Sequence, residues 1–187
     1  GRILLNGEDA SSLHVRERQV GFVFQHYALF RHMTIFENVA FGLREHTKLA
    51  EKDIQTIVAE KLRLVGMEHS AHMMPNELSG GMKKRVSLAR AIAFEPKIIF
   101  YDEPSSGLDP IMTAKIDELI IQTQRALQVT SIVVTHNMAS ACHVADRIAM
   151  IYEGRLIAID TVRNFKELKD PRVQAFMRGL RFQAKEE

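Results

Sequence analysis

The sequence has very little cysteine and no long apolar run. Cys142 is the only cysteine among the 187 residues, which excludes an internal disulfide and suits a reducing compartment. It lies in a predicted helix over residues 138–145, where we expect it to be a small core residue. No stretch approaches the ~20 consecutive apolar residues that span a bilayer. The sequence therefore predicts no direct membrane span, and any membrane role requires a partner.

A strong excess of either charge is also missing. The chain has 25 Lys and Arg against 23 Asp and Glu, a net charge of +2 and a pI of about 8.8. This balance does not predict a nucleic-acid partner, and we interpret the basic cluster at residues 83–85 as a solvent-facing helix surface. With 46% hydrophobic and 26% charged residues, the composition indicates a globular chain with a substantial core.

An apolar run that ends in two adjacent carboxylates is the most informative stretch. Residues 97–101 predict a strand buried on both faces, as in a parallel sheet. Ligands of such sheets bind beyond the carboxyl ends of the strands, where Asp102 and Glu103 lie. Two acids there suit two tasks, with one holding Mg²⁺ and the next activating a water. The alternative is a helix N-cap followed by a first-turn acid.

Two other predicted strands end in polar side chains. Residues 20–24 lead to Gln25, whose amide offers an acceptor and two donors without adding charge, or which simply caps the strand. Residues 131–135 lead to His136, which is a satisfied polar residue, a metal ligand or a switch. Metal ligation is disfavoured because no second His or Cys lies at ligand spacing.

A glycine pair between Leu78 and a basic helical segment suits anion binding. Ser79 supplies a hydroxyl, and Gly80 and Gly81 let the backbone approach a phosphate closely. The helix that follows directs its positive N-terminal end at that anion. Further along the chain, Asp109 precedes a proline, which by itself predicts a turn or the start of a helix.

These segments resemble the nucleotide-binding domain of ABC ATPases. The resemblance rests on four motifs in the order of that family: L-S-G-G-M at 78–82, I-I-F-Y-D-E-P at 98–104, S-G-L-D at 106–109 and V-V-T-H at 133–136. It implies an α/β fold, a P-loop NTPase of the ABC type with a parallel core sheet and a helical subdomain. It also implies ATP and Mg²⁺ as cofactors.

The resemblance assigns a role to each polar residue. Asp102 and Gln25 would contact Mg²⁺, Glu103 would activate the attacking water, and His136 would contact the γ-phosphate and orient the water. Asp109 would lie in a loop that crosses a head-to-tail dimer of two ATPase domains. The residues that would meet the ATP bound to the opposite copy are Ser79, Gly80 and Gly81.

The resemblance also implies a membrane partner. Residues 26–38 are apolar and aromatic without helical spacing, and in the family this region forms a groove for a helix of an integral membrane permease. Ordinary core packing is the alternative for individual residues there. We therefore expect a cytoplasmic protein that is peripheral on the inner membrane through its permease.

The phosphate-binding loop G-x-x-x-x-G-K-[ST] is absent, because none of the ten glycines is followed by lysine. The chain also starts without methionine. We accordingly expect a truncated nucleotide-binding domain over 1–160 that lacks its N-terminal strand and phosphate loop. Its helical subdomain is expected at about 44–92, and a short C-terminal helical extension at 161–187.

Two regions resemble different transport ATPases. Residues 20–43 look like importers of the sulfate/thiosulfate type, whereas the chain from Arg44 onward looks like the lipid-asymmetry family that moves phospholipid between Gram-negative membranes. The second resemblance covers more of the chain and includes Met82, so lipid transport is the predicted function. The alternatives are a sulfate/thiosulfate or other small-solute importer, a non-transport ABC ATPase, and an inactive fragment.

Hydrophobic periodicity and turn signals predict the remaining elements. Thr34 is expected to cap the first helix. The predicted helices span 35–43, 51–66, 112–127, 162–168 and 171–180, and the predicted hairpin joins 147–152 to 155–159.

Overall fold

The computed structural model describes residues 1–5 and 7–178. Its backbone falls into two compact units, Gly1–Val134 and Thr135–Glu187. The first unit opens with a short antiparallel pair, β1 (Leu4–Leu5) and β2 (Glu8–Asp9). The turn predicted between them includes Asn6, which lies outside the described residues.

The centre of the first unit is a parallel sheet. Its strands are β3 (Val20–Val23), β4 (Ile98–Asp102) and β5 (Thr130–Val134), in the order β3-β4-β5. The strands pair in register, with Val23 opposite Tyr101 and Tyr101 opposite Val133. The three predicted strands and their parallel arrangement are therefore confirmed to within about a residue at each end.

Four α-helices accompany this sheet. They are α1 (Ile35–His46), α2 (Glu51–Leu64), α3 (Gly80–Ile92) and α4 (Pro110–Leu127). Thr34 caps α1 as predicted: its hydroxyl accepts from the Glu37 N–H at 3.2 Å, and the Glu37 carboxylate accepts from the Thr34 N–H at 2.7 Å. Short 3₁₀ turns occupy Val15–Arg18, Glu68–Ser70 and Pro75–Glu77.

The two faces of the sheet differ, which corrects the prediction that its strands are buried on both sides. Val23, Ile99 and Tyr101 are at most 2% exposed on one face. On the other face Phe22 is 46% exposed and Val134 is 56% exposed. An apolar run cannot distinguish these cases, because a strand with one open face and a fully covered strand can have the same composition.

The second unit packs two strands with three short helices. Its elements are α5 (Met138–Val144), β6 (Arg147–Tyr152), β7 (Arg155–Thr161), α6 (Val162–Glu167) and α7 (Pro171–Met177). The predicted hairpin is confirmed, and both turn residues have positive φ, +47° at Glu153 and +74° at Gly154. Cys142 packs, half-buried, against the core of this unit, as expected. Residues 179–187, the end of the predicted last helix and the tail, lie outside the described residues.

Asp170 provides a test of pH dependence in the second unit. Hydrogen bonds from the Arg172 guanidinium and backbone N–H lower the pKa of this α7 N-cap from 3.8 to about 2. A lowered carboxyl pKa stabilises the fold above pH 4, and this contribution is lost as the pH falls from 4 towards 2. In thermal unfolding we expect Asp170→Asn to lower Tm at pH 7, with the difference from wild type shrinking below pH 4.

Arg172→Met is the matched control, since it removes the guanidinium that binds Asp170 and leaves the Asp170 carboxylate in place. It should bring the Asp170 pKa back towards its ordinary value. A difference between Asp170→Asn and wild type that stays constant from pH 7 to pH 3 would contradict this account.

Candidate active site

The predicted acids lie at the end of β4. Asp102 is the last residue of the strand and Glu103 follows it, and both are half-buried. Gln25 lies two residues beyond β3, as Glu103 lies two residues beyond Tyr101. Their backbones lie close together beyond the paired residues Val23 and Tyr101, because one ammonium, that of Lys84, donates to the Gln25 carbonyl at 2.9 Å and to the Glu103 carbonyl at 3.1 Å. The adjacent parallel strands thus deliver three of the predicted site residues to one edge of the sheet.

The backbone of Glu103 adopts a left-handed conformation. Its φ is +45°, which side chains other than glycine seldom adopt. The Glu103 N–H donates to the Val134 carbonyl at 2.9 Å, and the Glu103 carbonyl accepts from the Ser106 N–H at 3.1 Å. These bonds turn the chain sharply after β4, so that Glu103 does not continue the strand.

The Gln25 side chain reaches the segment that follows the acids. Its Nε2 donates to the Ser106 hydroxyl at 3.4 Å. This contact links the end of β3 with the S-G-L-D segment, and the remaining amide oxygen is an acceptor. Ser106 was not among the predicted site residues, and no spacing rule links it to a residue 81 positions away.

Lys84 corrects the interpretation of the basic cluster. It is 3% exposed, and its ammonium donates to the Gln25 carbonyl at 2.9 Å and to the Glu103 carbonyl at 3.1 Å. Arg85 is half-buried and donates to the Val65 carbonyl at 2.8 Å. A solvent-facing surface is therefore wrong for Lys84. Helical spacing was the signal that could have found it, because Lys84 shares the buried face of α3 with Gly81 and Leu88.

The electrostatics of Lys84 combine burial with nearby acids. Burial lowers the pKa of this lysine, and the Asp102 and Glu103 carboxylates partly offset that shift. The Nζ atom also lies 5.2 Å from the centroid of the Tyr27 ring, within range of a cation–π contact. The site thus contains one buried cation beside two carboxylates.

The glycine-rich signature begins α3. Ser79 is exposed and is the N-cap, with its hydroxyl accepting from the Met82 N–H at 3.3 Å. A Cβ on Gly80 would lie 3.2 Å from the Tyr27 hydroxyl, and one on Gly81 would lie 2.4 Å from the Met112 methyl. The Met112 methyl is the end of a flexible side chain that can move aside, so packing adds only the tight contact with Tyr27 to the predicted approach of a phosphate.

Asp109 is the N-cap of α4. Its carboxylate accepts from the N–H groups of Ile111 at 2.9 Å and Met112 at 3.0 Å. This agrees with the prediction that Asp109 and the following proline start a helix. Asp109 is exposed, so a second contact across a dimer interface remains a prediction.

His136 belongs to the second unit. It is exposed and lies between Thr135 and Asn137, and Asn137 caps α5 by accepting from the Ser140 N–H at 3.1 Å. Its contact with a γ-phosphate and its orientation of the water remain predictions.

The segment 26–38, predicted as a groove, is held by one buried amide. Asn38 is fully buried, and its Nδ2 donates to the carbonyls of Phe30, Met33 and Thr34, each at 3.0 Å. The Arg90 guanidinium lies 4.5 Å from the centroid of the Phe30 ring. These contacts fix the irregular stretch 26–34, which leads into α1 at Ile35 and has several exposed side chains.

The donor set suits a magnesium ion that is completed by phosphate oxygens. Asp102 and the Gln25 amide supply hard oxygen ligands, which Mg²⁺ prefers. Across residues 1–5 and 7–178, no group of three or more His, Cys, Asp or Glu is placed to hold a metal. Mg²⁺ commonly binds through one or two protein ligands together with substrate phosphates, so this sparse set fits that mode.

None of the helices in the described part of the chain is both long enough and apolar enough to cross a bilayer.

A parallel sheet with acids at its strand ends is typical of ligand-binding α/β domains, and comparison with known proteins shows the family. A family model described as ABC transporter matches residues 1–106. The cbiO1 protein of Clostridium perfringens, part of the ABC transporter complex cbiONQ, is 30% identical with a TM-score of 0.81, and the match covers 95% of this chain and 72% of that one. The chain belongs to the ABC transporter family and has the ABC type of P-loop NTPase fold.

Other relatives agree with this assignment. The ATP-binding cassette MJ0796, solved as a dimer bound to ADP and Pi, has a TM-score of 0.74 and 30% identity over 87% of this chain and 74% of that one. The sulfate/thiosulfate import ATP-binding protein CysA 1 of Chromobacterium violaceum is 43% identical over 183 residues, and CysA of Ralstonia nicotianae is 48% identical over 159. These matches cover 96% and 83% of this chain. They cover 50% and 43% of the relatives, so the chain spans about half the length of the curated relatives it matches.

Proposed function

We propose that this chain is part of the ATP-hydrolysing subunit of an ABC transporter. The observation that carries the proposal is the closeness of Gln25 and Glu103 beyond paired parallel strands, where one ammonium binds both of their carbonyls, with Asp102 at the end of β4. Asp102 and the Gln25 amide would hold Mg²⁺, which when bound neutralises charge on the phosphate oxygens. The family assignment supports ATP as the nucleotide.

The side chains at this edge would carry out the proton and positioning steps. Glu103 would accept a proton from the attacking water, and the Gln25 amide oxygen would contact either Mg²⁺ or that water. His136 would contact the γ-phosphate as the third positioning group. Hydrolysis then depends mainly on alignment and charge stabilisation rather than on covalent chemistry.

A second copy of the chain would complete each nucleotide site. Ser79 is exposed at the start of α3, and Gly80 and Gly81 form the first turn of that helix, where backbone N–H groups favour an anion. We propose that they meet the nucleotide of the opposite copy in a head-to-tail dimer, with Asp109 near the interface. The dimeric state described for MJ0796 supports this arrangement.

A membrane permease is the proposed partner. The segment 26–38 is irregular up to Thr34 and continues as the first turn of α1. It is fixed by Asn38 and presents exposed side chains, which suits the docking of a short helix. Membership of cbiO1 in a transporter complex supports such a partner. We accordingly propose a cytoplasmic subunit that is peripheral on the inner membrane, with a helical subdomain over about 44–92 and a C-terminal extension from residue 161.

Import of a small oxyanion, sulfate or thiosulfate, is the proposed transport reaction. The curated relatives reported above carry that name at 43% and 48% identity, which favours the alternative over phospholipid transport. The lipid prediction rested on residues from Arg44 onward and on Met82, and the comparisons give it no support. Sulfate uptake by cells that depend on the completed protein and its permease would support the proposal, whereas phospholipid transfer instead would overturn it.

Restoring a phosphate-binding loop is the direct test of ATP hydrolysis. The 187 residues contain no G-x-x-x-x-G-K-[ST] segment, so we would compare this chain with one that has a family-type strand, loop and helix ahead of Gly1. We expect Mg-ATP binding and turnover only in the second protein. Turnover by the 187 residues alone would show that the phosphate site is built differently. A completed protein that folds but does not hydrolyse ATP would refute the proposed function.

A further inference from the structure

The segments that contain Gln25 and Glu103 lie beyond the paired residues of β3 and β4, so the pairing of these two strands does not join them. β3 and β4 are paired up to Val23 and Tyr101, whereas β4 stays paired with β5 through Asp102. Gln25 precedes an irregular segment, and Glu103 has φ +45°. A residue with a strained backbone conformation keeps that conformation only when the contacts around it determine it. Some other group must therefore fix the distance between these two backbones.

Lys84 is that group. Its ammonium donates to the Gln25 carbonyl at 2.9 Å and to the Glu103 carbonyl at 3.1 Å, so it bridges the two segments at their main chains. An ammonium has three N–H donors, and the Tyr27 ring lies 5.2 Å from Nζ. The surroundings are tightly packed: the cavity beside the Lys84 stem, lined also by Tyr101 and Leu88, is about 10 Å³. Such a space is at the lower limit for a single water.

The bridge continues to the segment that follows the acids. The Glu103 carbonyl that receives Lys84 also accepts the Ser106 N–H at 3.1 Å, and the Ser106 hydroxyl accepts the Gln25 amide at 3.4 Å. Four segments thus meet in one hydrogen-bonded ring: the end of β3, helix α3, the end of β4 and the S-G-L-D segment. Helix α3 is the helix that begins at the signature.

We propose that Lys84 is a positioning residue that fixes the main chains of Gln25 and Glu103 relative to each other, and thereby aligns the water-activating carboxylate for hydrolysis. This inference rests on the proposed function for its catalytic consequence. Its structural part, the bridge itself, does not depend on that function. Lys84 is not a catalytic residue, because it contacts the main chains of the catalytic segments and not the reacting atoms.

Lys84→Met tests the proposal, because methionine keeps the apolar stem and removes all three donors. Lys83→Met, which changes the same charge at a half-buried neighbour, is the matched control. In the protein with a restored phosphate loop we expect kcat to fall about 100-fold in Lys84→Met, as misplacement of a reacting group by about 1 Å can cause. The Kd for ATP should stay close to wild type, and Lys83→Met should leave both values unchanged. A merely structural loss would instead raise Kd and lower kcat together.

Amide hydrogen exchange on the 187-residue chain separates this inference from the proposed function. We expect the Ser106 amide, which shares the Glu103 carbonyl with Lys84, to exchange about tenfold faster in Lys84→Met than in Lys83→Met. Equal exchange would overturn the bridge, even if ATP is hydrolysed. Faster exchange in a protein that never hydrolyses ATP would support the bridge and refute only the proposed function.

A measurement on the wild-type chain covers the case in which Lys84→Met does not fold. Nitrogen-15 NMR of the lysine ammonium groups should show Lys84 protons exchanging about tenfold more slowly than those of Lys83, because the Lys84 side chain is buried and its ammonium donates to two carbonyls. Rapid exchange of the Lys84 ammonium protons would overturn the proposal.

Discussion

Glu103→Gln should leave ATP binding intact and almost abolish turnover in the protein with a restored phosphate loop. Glutamine has the shape of glutamate but cannot accept a proton from water, and loss of a general base typically costs about 100- to 10,000-fold in rate. The change retains the side-chain volume and the backbone bonds of Glu103 to Val134 and Ser106. We therefore expect kcat to fall within that range, measured by phosphate release, with the Kd for ATP within about threefold of wild type.

Glu118→Gln is the matched control for this substitution. Glu118 is an exposed acid on α4 that accepts a hydrogen bond from Gln122 at 3.0 Å, away from the strand ends. The Glu118→Gln protein should hydrolyse ATP at the wild-type rate. Wild-type turnover in Glu103→Gln would remove Glu103 from its proposed role and direct attention to Asp102 or His136.

Gly21→Ala should destabilise the fold by about 3 kcal/mol, the upper part of the range for overpacking a close contact. A Cβ on Gly21 would lie 2.8 Å from the Ala91 carbonyl oxygen and 3.0 Å from Cγ of Pro96. The first of these is backbone near the end of α3, so it cannot move aside without shifting the helix against β3. Urea unfolding followed by circular dichroism would measure the loss.

Gly42→Ala separates a true backbone clash from the mere addition of a methyl group. Its Cβ would lie 2.6 Å from Cε2 of Phe94, but that ring is 47% exposed and can rotate away. Alanine also favours the interior of α1 by about 1 kcal/mol over glycine. We expect a net change near zero for Gly42→Ala. Equal losses of unfolding free energy in Gly21→Ala and Gly42→Ala would show that the contact between Gly21 and α3 is not rigid.

The sequence predicted the elements of the fold well, because their signals are local. Apolar runs indicated the three parallel strands, Thr34 marked the start of α1, and Glu153-Gly154 marked the hairpin turn. The open face of the sheet was not predictable in the same way. Whether Phe22 or Val134 is covered depends on what packs above them, which the run of apolar letters does not record.

The sequence predicted which residues belong to the candidate site, but not the hydrogen bonds that connect them. The strand ends at Gln25 and Asp102 followed from the apolar runs, yet the contacts between Gln25, Ser106 and Lys84 join positions far apart in the chain. Lys84 was misjudged because its two basic neighbours suggested a solvated surface, although its helical position matched the buried stripe. The φ of +45° at Glu103 carries no local signal, since glycine is the residue that normally marks such a conformation.

The left-handed backbone of Glu103 places the stability of the fold in conflict with the proposed activity. A residue other than glycine in the left-handed region costs about 1 kcal/mol or more, so glycine at position 103 would relax the turn after β4. Selection for thermal stability alone would therefore favour the loss of the one carboxylate assigned to water activation. Under the proposed function, glutamate at this position keeps a less stable turn because hydrolysis needs its carboxylate.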